Sequence, residues 1–152
     1  MATNPKEIAD RSFVAIKING KNYFGNPNET ILDVSKRNGI EIPHLCFKEG
    51  MRPDGNCRAC MVEIEGERVL QPSCVRTISD GMVVNTNNDR VVHSQKLVLE
   101  LLTSDVSDKV YKKDSELSDW AEKLKIKTNR FPTNVQEKHD LTISHTPQLQ
   151  LI

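Results

Sequence analysis

Every cysteine of the chain falls between Cys46 and Cys74, in the order Cys46-FKEGMRPDGN-Cys57-RA-Cys60-MVEIEGERVLQPS-Cys74, a C-x10-C-x2-C-x13-C spacing. Thiolate sulfur is the ligand of iron–sulfur clusters, and four thiolates complete a [2Fe–2S] rhombus with two on each iron. Four cysteines can also hold one zinc ion or close two disulfides. Structural zinc sites commonly repeat a C-x2-C knuckle, whereas here only Cys57 and Cys60 form a close pair. Disulfides need an oxidising compartment, and MATNPKEIADRSF has no apolar core ahead of a cleavage site and does not read as a secretory signal. A thiol-keeping, cytoplasmic setting is therefore the expectation. A thioredoxin-like redox pair would open a helix, but RACMVEIEG runs from Cys57 and Cys60 into a strand pattern. The residues favour [2Fe–2S] over zinc, and zinc over uncoordinated or disulfide-bonded thiols.

The residues between the cysteines suit a loop wrapped round an inorganic core. Gly50, Pro53, Gly55 and Asn56 let the backbone curl and turn amide N–H groups towards sulfur, which stabilises an added electron. Arg52 and Arg58 either add positive charge that raises the potential or are ordinary solvated loop residues. His44 lies two residues before Cys46, but a Rieske-type centre needs two histidines on one iron in place of two cysteines. His44 therefore reads as a packing or supporting residue rather than a ligand.

The rest of the chain must position this loop. With 152 residues it suits one compact domain plus an appendage. Its 21 Lys and Arg balance 21 Asp and Glu, leaving no basic footprint for nucleic acid or anionic lipid. No apolar run approaches a bilayer span, and Leu97 to Leu102 is interrupted by Glu100, so direct membrane insertion is not expected. Neutrality also lacks the one-signed surface that steers small mobile carriers, and fits a relay held in a larger assembly better than a free shuttle.

Residues 1–11 are polar and read as a flexible N-terminus. Phe13 to Ile18 and Lys21 to Gly25 flank Asn19-Gly20, the strongest short hairpin signal, since both turn residues tolerate positive φ. Thr30-Ile31-Leu32-Asp33 has the form of a capping box and starts a helix to about Asn38, closed by Gly39. Met61 to Ile64 and Arg68 to Gln71 form a second hairpin around Glu65-Gly66-Glu67, returning Cys74 towards Cys60. Gly81 to Asn85 adds a fifth strand. The class is α+β, a β-grasp over residues 12–88 with the cysteine loop at the sheet edge. A helical extension over 89–127 follows, with Val91, Val92, Val98, Leu99 and Leu102 on one side and Arg90, Lys96 and Glu100 elsewhere. A second helix spans about Ser115 to Lys125 through Leu117, Trp120, Ala121 and Leu124, Trp120 being a packing anchor rather than an electron stepping stone. Residues 128–152 read as an irregular tail with an apolar end at Leu149, Leu151 and Ile152, and His139 and His145 are too loosely spaced for a metal site. No nucleotide fingerprint, phosphate loop, HExxH or GxSxG occurs, so no catalytic residue is assigned.

The cysteine spacing, with IPHLC before it and VLELL after it, resembles the N-terminal [2Fe–2S] domain of one subunit family over about residues 12–103. That family comprises the large iron–sulfur subunit of complex I, the diaphorase-side subunits of NAD-linked hydrogenases and the alpha subunit of NAD-dependent formate dehydrogenases. It departs from plant-type ferredoxin, whose C-x4-C-x2-C triplet is missing. In most of the family the segment after LELL carries a His and three Cys for a [4Fe–4S] cluster. Here it reads LLTSDVSDKVYKKD, with Val106 at the histidine position and no cysteine beyond Cys74, so that cluster cannot form by that pattern. SDWAEKLKIKTNRFP and SHTPQLQLI are similar to a branch of formate dehydrogenase alpha subunits that also lack it. In those relatives a two-cluster ferredoxin-like domain and a molybdopterin domain follow. The resemblance implies one [2Fe–2S] cluster on Cys46, Cys57, Cys60 and Cys74 and a one-electron relay, as a separate subunit or a piece of a longer polypeptide. Its partners would be iron–sulfur, flavin or molybdopterin subunits of a formate dehydrogenase-like or NADH-linked oxidoreductase. The alternatives are a free ferredoxin-type carrier and a zinc-stapled or metal-free β-grasp module that binds a partner.

Overall fold

The computed structural model describes residues 13–106, 115–126 and 130–131. The expectations for the N-terminus, for the tail with Leu149, Leu151 and Ile152, and for His139 and His145 lie outside the described residues. Strands β1 (Val14–Ile18) and β2 (Lys21–Gly25) form the first hairpin. Ile18 pairs with Lys21 across Asn19 and Gly20, whose φ values of 50° and 82° are those of a two-residue type I′ turn. The turn is also tied to the middle of the sheet, because the Asn19 amide donates to the Val84 carbonyl at 2.9 Å.

Helix α1 (Ile31–Arg37) starts on the expected capping box. The Asp33 amide donates to Thr30 Oγ1 at 3.2 Å and the Thr30 amide to Asp33 Oδ2 at 3.0 Å. Ile31, Leu32 and Val34 bury wholly against the sheet, and Gly39 (φ 70°) lets the chain leave the helix. Strands β3 (Met61–Ile64), β4 (Gln71–Pro72) and β5 (Met82–Asn85) complete a five-stranded sheet in the order β2-β1-β5-β3-β4. Only β1 and β5 run parallel; the other neighbours are antiparallel. A mixed sheet crossed by α1 is the β-grasp arrangement. Its core is Ile16, Ile18, Ile31, Leu32, Val34, Ile42, Val62, Ile64, Ile78, Met82 and Val84, together with Cys60 and Cys74.

The second hairpin differs from the sequence expectation. Its return strand, expected at Arg68 to Gln71, pairs only at Gln71 and Pro72, opposite Val62 and Met61. The Glu67 amide bonds the Ile64 carbonyl at 3.0 Å, closing a tight turn, and Arg90 then holds the Arg68 carbonyl at 2.7 Å. Arg68 to Leu70 is thus drawn out of the ladder, and Val69 stays exposed.

Helix α2 (Asp89–Ser104) is capped by Asn88, whose side chain accepts from the Val91 amide at 2.9 Å. Its buried residues are Val91, Gln95, Leu99, Glu100 and Ser104, a narrower and more polar stripe than expected. Gln95 is admitted because its Nε2 donates to the Met61 carbonyl at 3.0 Å. Glu100, expected away from the packed side, is buried with its carboxylate paired to Arg130 at 2.7 Å. Helix α3 (Glu116–Lys123) is capped by Ser115, packs on α2 and has no fully buried residue. Among the described residues no helix is long and apolar enough to cross a membrane.

Candidate metal centre

Two walls face each other across the site. The inner wall is made by strand ends. Cys60 immediately precedes β3 and Cys74 is the second residue after β4, so the Met61–Pro72 pairing brings them together. The Ser73 amide donates to the Cys60 carbonyl at 3.0 Å, extending the ladder outward. The turn carrying Cys74 is fixed from the far side by the first turn of α1. The Leu32 amide donates to the Ser73 carbonyl at 3.0 Å and the Ile31 amide to the Arg76 carbonyl at 2.9 Å. Helix N-termini have amides without partners, and here the cysteine-bearing turn takes two of them. Cys60 and Cys74 are each 1% exposed.

The outer wall is the loop from Pro43 to Ala59, which has no helix or strand. Gly50 (φ 80°), Gly55 (φ 66°) and Arg58 (φ 56°) all take left-handed backbone, and Arg58 does so between the cysteines of the C-x2-C pair. Cys46 and Cys57 come together half-buried, within hydrogen-bond reach of one another. Burial pushes the Cys46 thiol up, but the amides of Cys57 and Asn56 and the Cys57 thiol outweigh it and leave Cys46 below the ordinary thiol range. Burial pushes Cys57 up. In the inner pair the Cys74 thiol donates to Cys60. That bond leads the causes that hold Cys60 down to about 6, aided by the Cys74 amide. The same bond, then burial and the neighbouring sulfurs, push Cys74 far up.

The four thiols therefore stand as two pairs, Cys46 with Cys57 and Cys60 with Cys74, close enough for the pairs to influence each other's charge. Among the described residues no three His, Cys, Asp or Glu side chains are grouped as a single ion would need. Two sulfur pairs walled by amide donors fit a dinuclear iron–sulfur group better than one tetrahedral zinc.

Neighbouring residues fall into clear roles. His44 Nδ1 bonds the Ile42 carbonyl at 2.8 Å, and its ring meets Phe47 edge-on at 5.8 Å, so it packs the start of the loop. Trp120 of α3 lies against the same imidazole, 6.0 Å between centroids, and Lys123 pairs with Glu41 at 2.6 Å. The sequence marks Trp120 as an anchor without showing what it anchors, since nothing local links residue 120 to residue 44. Arg52 and Arg58 are exposed at the loop surface. Sequence reasoning misses Ser73 altogether; a small polar residue between a strand proline and a cysteine is the available sign.

The fold and site define an iron–sulfur domain of β-grasp type. Residues 11–89 match the 2Fe-2S iron-sulfur cluster binding domain family, and the chain belongs to that family. It is 43% identical over 99 residues to the HndD subunit of the NADP-reducing hydrogenase of Solidesulfovibrio fructosivorans, 62% of this chain and 17% of that subunit. It is 37% identical over 89 residues to a component of the NADH-quinone oxidoreductase of Rhizobium meliloti, 59% of this chain and 10% of that protein. Each match thus spans less than a fifth of the relative's length. Among solved structures, an NAD+-reducing [NiFe]-hydrogenase in the H2-reduced state superposes with a TM-score of 0.75. At 22% identity, over 82% of this chain and 54% of that one, the likeness is one of fold. The domain is an electron-transfer domain of the kind found at the N-terminus of complex I large subunits, for one [2Fe–2S] cluster, and its relatives are subunits of oxidoreductase complexes.

Proposed function

We propose that Cys46 and Cys57 ligate one iron of the cluster and Cys60 and Cys74 the other, and that the chain is a one-electron relay in an oxidoreductase assembly. The observation that carries this reading is the meeting of the four thiols as two pairs under loop amides. When bound, the cluster supplies a one-electron acceptor and donor. The chain's own residues hold it: the Cys57 and Asn56 amides donate to Cys46, while the sheet end keeps water from Cys60 and Cys74. The chain makes no bonds in substrate itself. Residues 12–88 would be the cluster domain, with 89–127 its helical extension and 128–152 a tail.

The assembly we favour is formate dehydrogenase-like, because the sequence beyond Ser115 resembles that branch and Val106 replaces the histidine of a second cluster. An NADH-linked complex is the near variant. Partners would be iron–sulfur, flavin or molybdopterin subunits in a cytoplasmic, thiol-keeping setting. Anaerobic purification of the native chain tests both levels. Two iron and two labile sulfide per chain (the stoichiometry of a [2Fe–2S] group), a rhombic electron-spin signal on reduction and large co-purifying partners are expected. Stoichiometric zinc would end the cluster reading, and arrival as a lone iron protein would favour a free carrier.

A further inference from the structure

Ser73 has both backbone groups committed, its amide to the Cys60 carbonyl and its carbonyl to the Leu32 amide, each at 3.0 Å. Its side chain is completely buried, and Oγ makes no hydrogen bond. A buried hydroxyl left unsatisfied has given up its hydrogen bonds to water for nothing in return, which destabilises the fold. Two other buried side-chain atoms among the described residues share this condition, Ser35 Oγ and Arg76 Nε. Arg76 already bonds Glu67 through its other nitrogen, and Ser35 sits within α1. Ser73 alone is covalently joined to one inner cysteine and laddered to the other. Continuing the Met61–Pro72 register sets Ser73 directly opposite Cys60, so their two buried side chains lie on the same face of the ladder.

We propose that Ser73 Oγ–H donates a hydrogen bond to Cys60 Sγ when that sulfur is an iron ligand, making Ser73 a positioning residue that favours the reduced cluster. The proposal rests on the reading of Cys60 as a ligand. Coordination holds Cys60 and Cys74 as thiolates, neither with a proton to give, so the buried Ser73 hydroxyl is the donor that the ladder sets beside the Cys60 sulfur. A donor to a ligand sulfur withdraws charge from iron and stabilises the added electron.

The test uses the full chain, anaerobically loaded with iron and sulfide, as wild type, Ser73→Ala and Ser73→Thr. Ser73→Ala should load iron normally and be harder to reduce by about tenfold, about 59 mV for one electron. It should move the Fe–S(Cys) stretching bands, and Ser73→Thr should restore both. Removing an unsatisfied hydroxyl should leave the iron-free chain no less stable, which a merely structural role would not predict. Uniformly 15N-labelled wild type should also show an exchangeable proton coupled to the reduced cluster that carries no nitrogen coupling, as a hydroxyl proton does and every amide proton does not. That measurement decides the matter even if the alanine chain does not hold its cluster. An iron-loaded wild type without such a proton, or an alanine variant of unchanged potential, overturns the role of Ser73 alone. A wild type that takes up no iron overturns the ligand assignment as well.

Discussion

The two walls of the site hold cysteines of one chemistry by different means. Cys60 and Cys74 stand on strand ends, each 1% exposed, over a core that includes Val62 and Leu32. Cys46 and Cys57 are half-buried on a loop whose shape depends on left-handed backbone at Gly50, Gly55 and Arg58. Folding alone builds the inner wall, because its hydrogen bonds belong to the sheet and to α1. The outer wall has few such bonds, and closing a loop of that length costs chain entropy that bound iron offsets. The inner pair is scaffold, and the outer pair is completed by its ligand.

The largest effect should therefore follow removal of iron. Under anaerobic chelation, amides from His44 to Arg58 should lose almost all protection from hydrogen exchange, while those of Met61–Ile64 and Met82–Asn85 keep theirs. Cys57→Ser should give the same pattern, together with loss of the visible spectrum. Equal loss in loop and strands would erase the distinction between the walls. The converse perturbation is Val62→Ala in β3, where a wholly buried side chain loses two methyl groups. A cost of about 2 kcal/mol is expected. It should lower the denaturation midpoint of iron-free and iron-loaded protein alike.

The same contrast explains what the sequence disclosed. The Asn19-Gly20 turn and the Thr30–Asp33 cap are local signals, each legible because its residues lie within a few positions of one another, while the four cysteines are legible from residue type and count. The β-grasp is legible too. The Arg68 to Leu70 segment is misread because its fate is set by Arg90, twenty-two residues away. Glu100 is misplaced because a charge reads as solvated until a partner such as Arg130 is in view. The pairing of the thiols needs the β3–β4 register, and the role of Trp120 needs the packing of α3 on His44. Long-range partners are where periodicity is silent.

A smaller effect separates loop strain from loop contact. Gly55 has φ 66°, and an added Cβ would lie 3.3 Å from Val75; Gly50 has φ 80° with nothing within 4 Å. Both alanine substitutions incur the left-handed backbone cost of about 1–2 kcal/mol. Gly55→Ala must also displace Val75, next to Cys74, and should weaken iron retention more than Gly50→Ala. Neither should change the stability of the iron-free sheet, read from its urea midpoint.

The smallest effect concerns the support of the inner wall. Glu29 precedes the cap of α1; its carbonyl accepts from the Ile78 amide at 3.0 Å and its carboxylate from the Asn26 amide at 2.9 Å. The Arg37 guanidinium pairs with that carboxylate and, with the Asn26 amide, holds it below the ordinary range despite the opposing pull of burial. A carboxylate depressed on folding contributes stability that is complete above its unfolded pKa of about 4.3 and is lost as pH falls through the folded value. Wild type should therefore lose more stability than Glu29→Gln between neutral pH and about pH 3, by less than about 1 kcal/mol for a pair this open to solvent. Glu63, depressed in the same way by Arg90, stays in both proteins and cancels in the difference. Urea midpoints of the two proteins at both pH values measure it. Because the ion pair braces the approach to α1, the loss should appear in the strands and leave the iron-free loop from His44 to Arg58 unchanged.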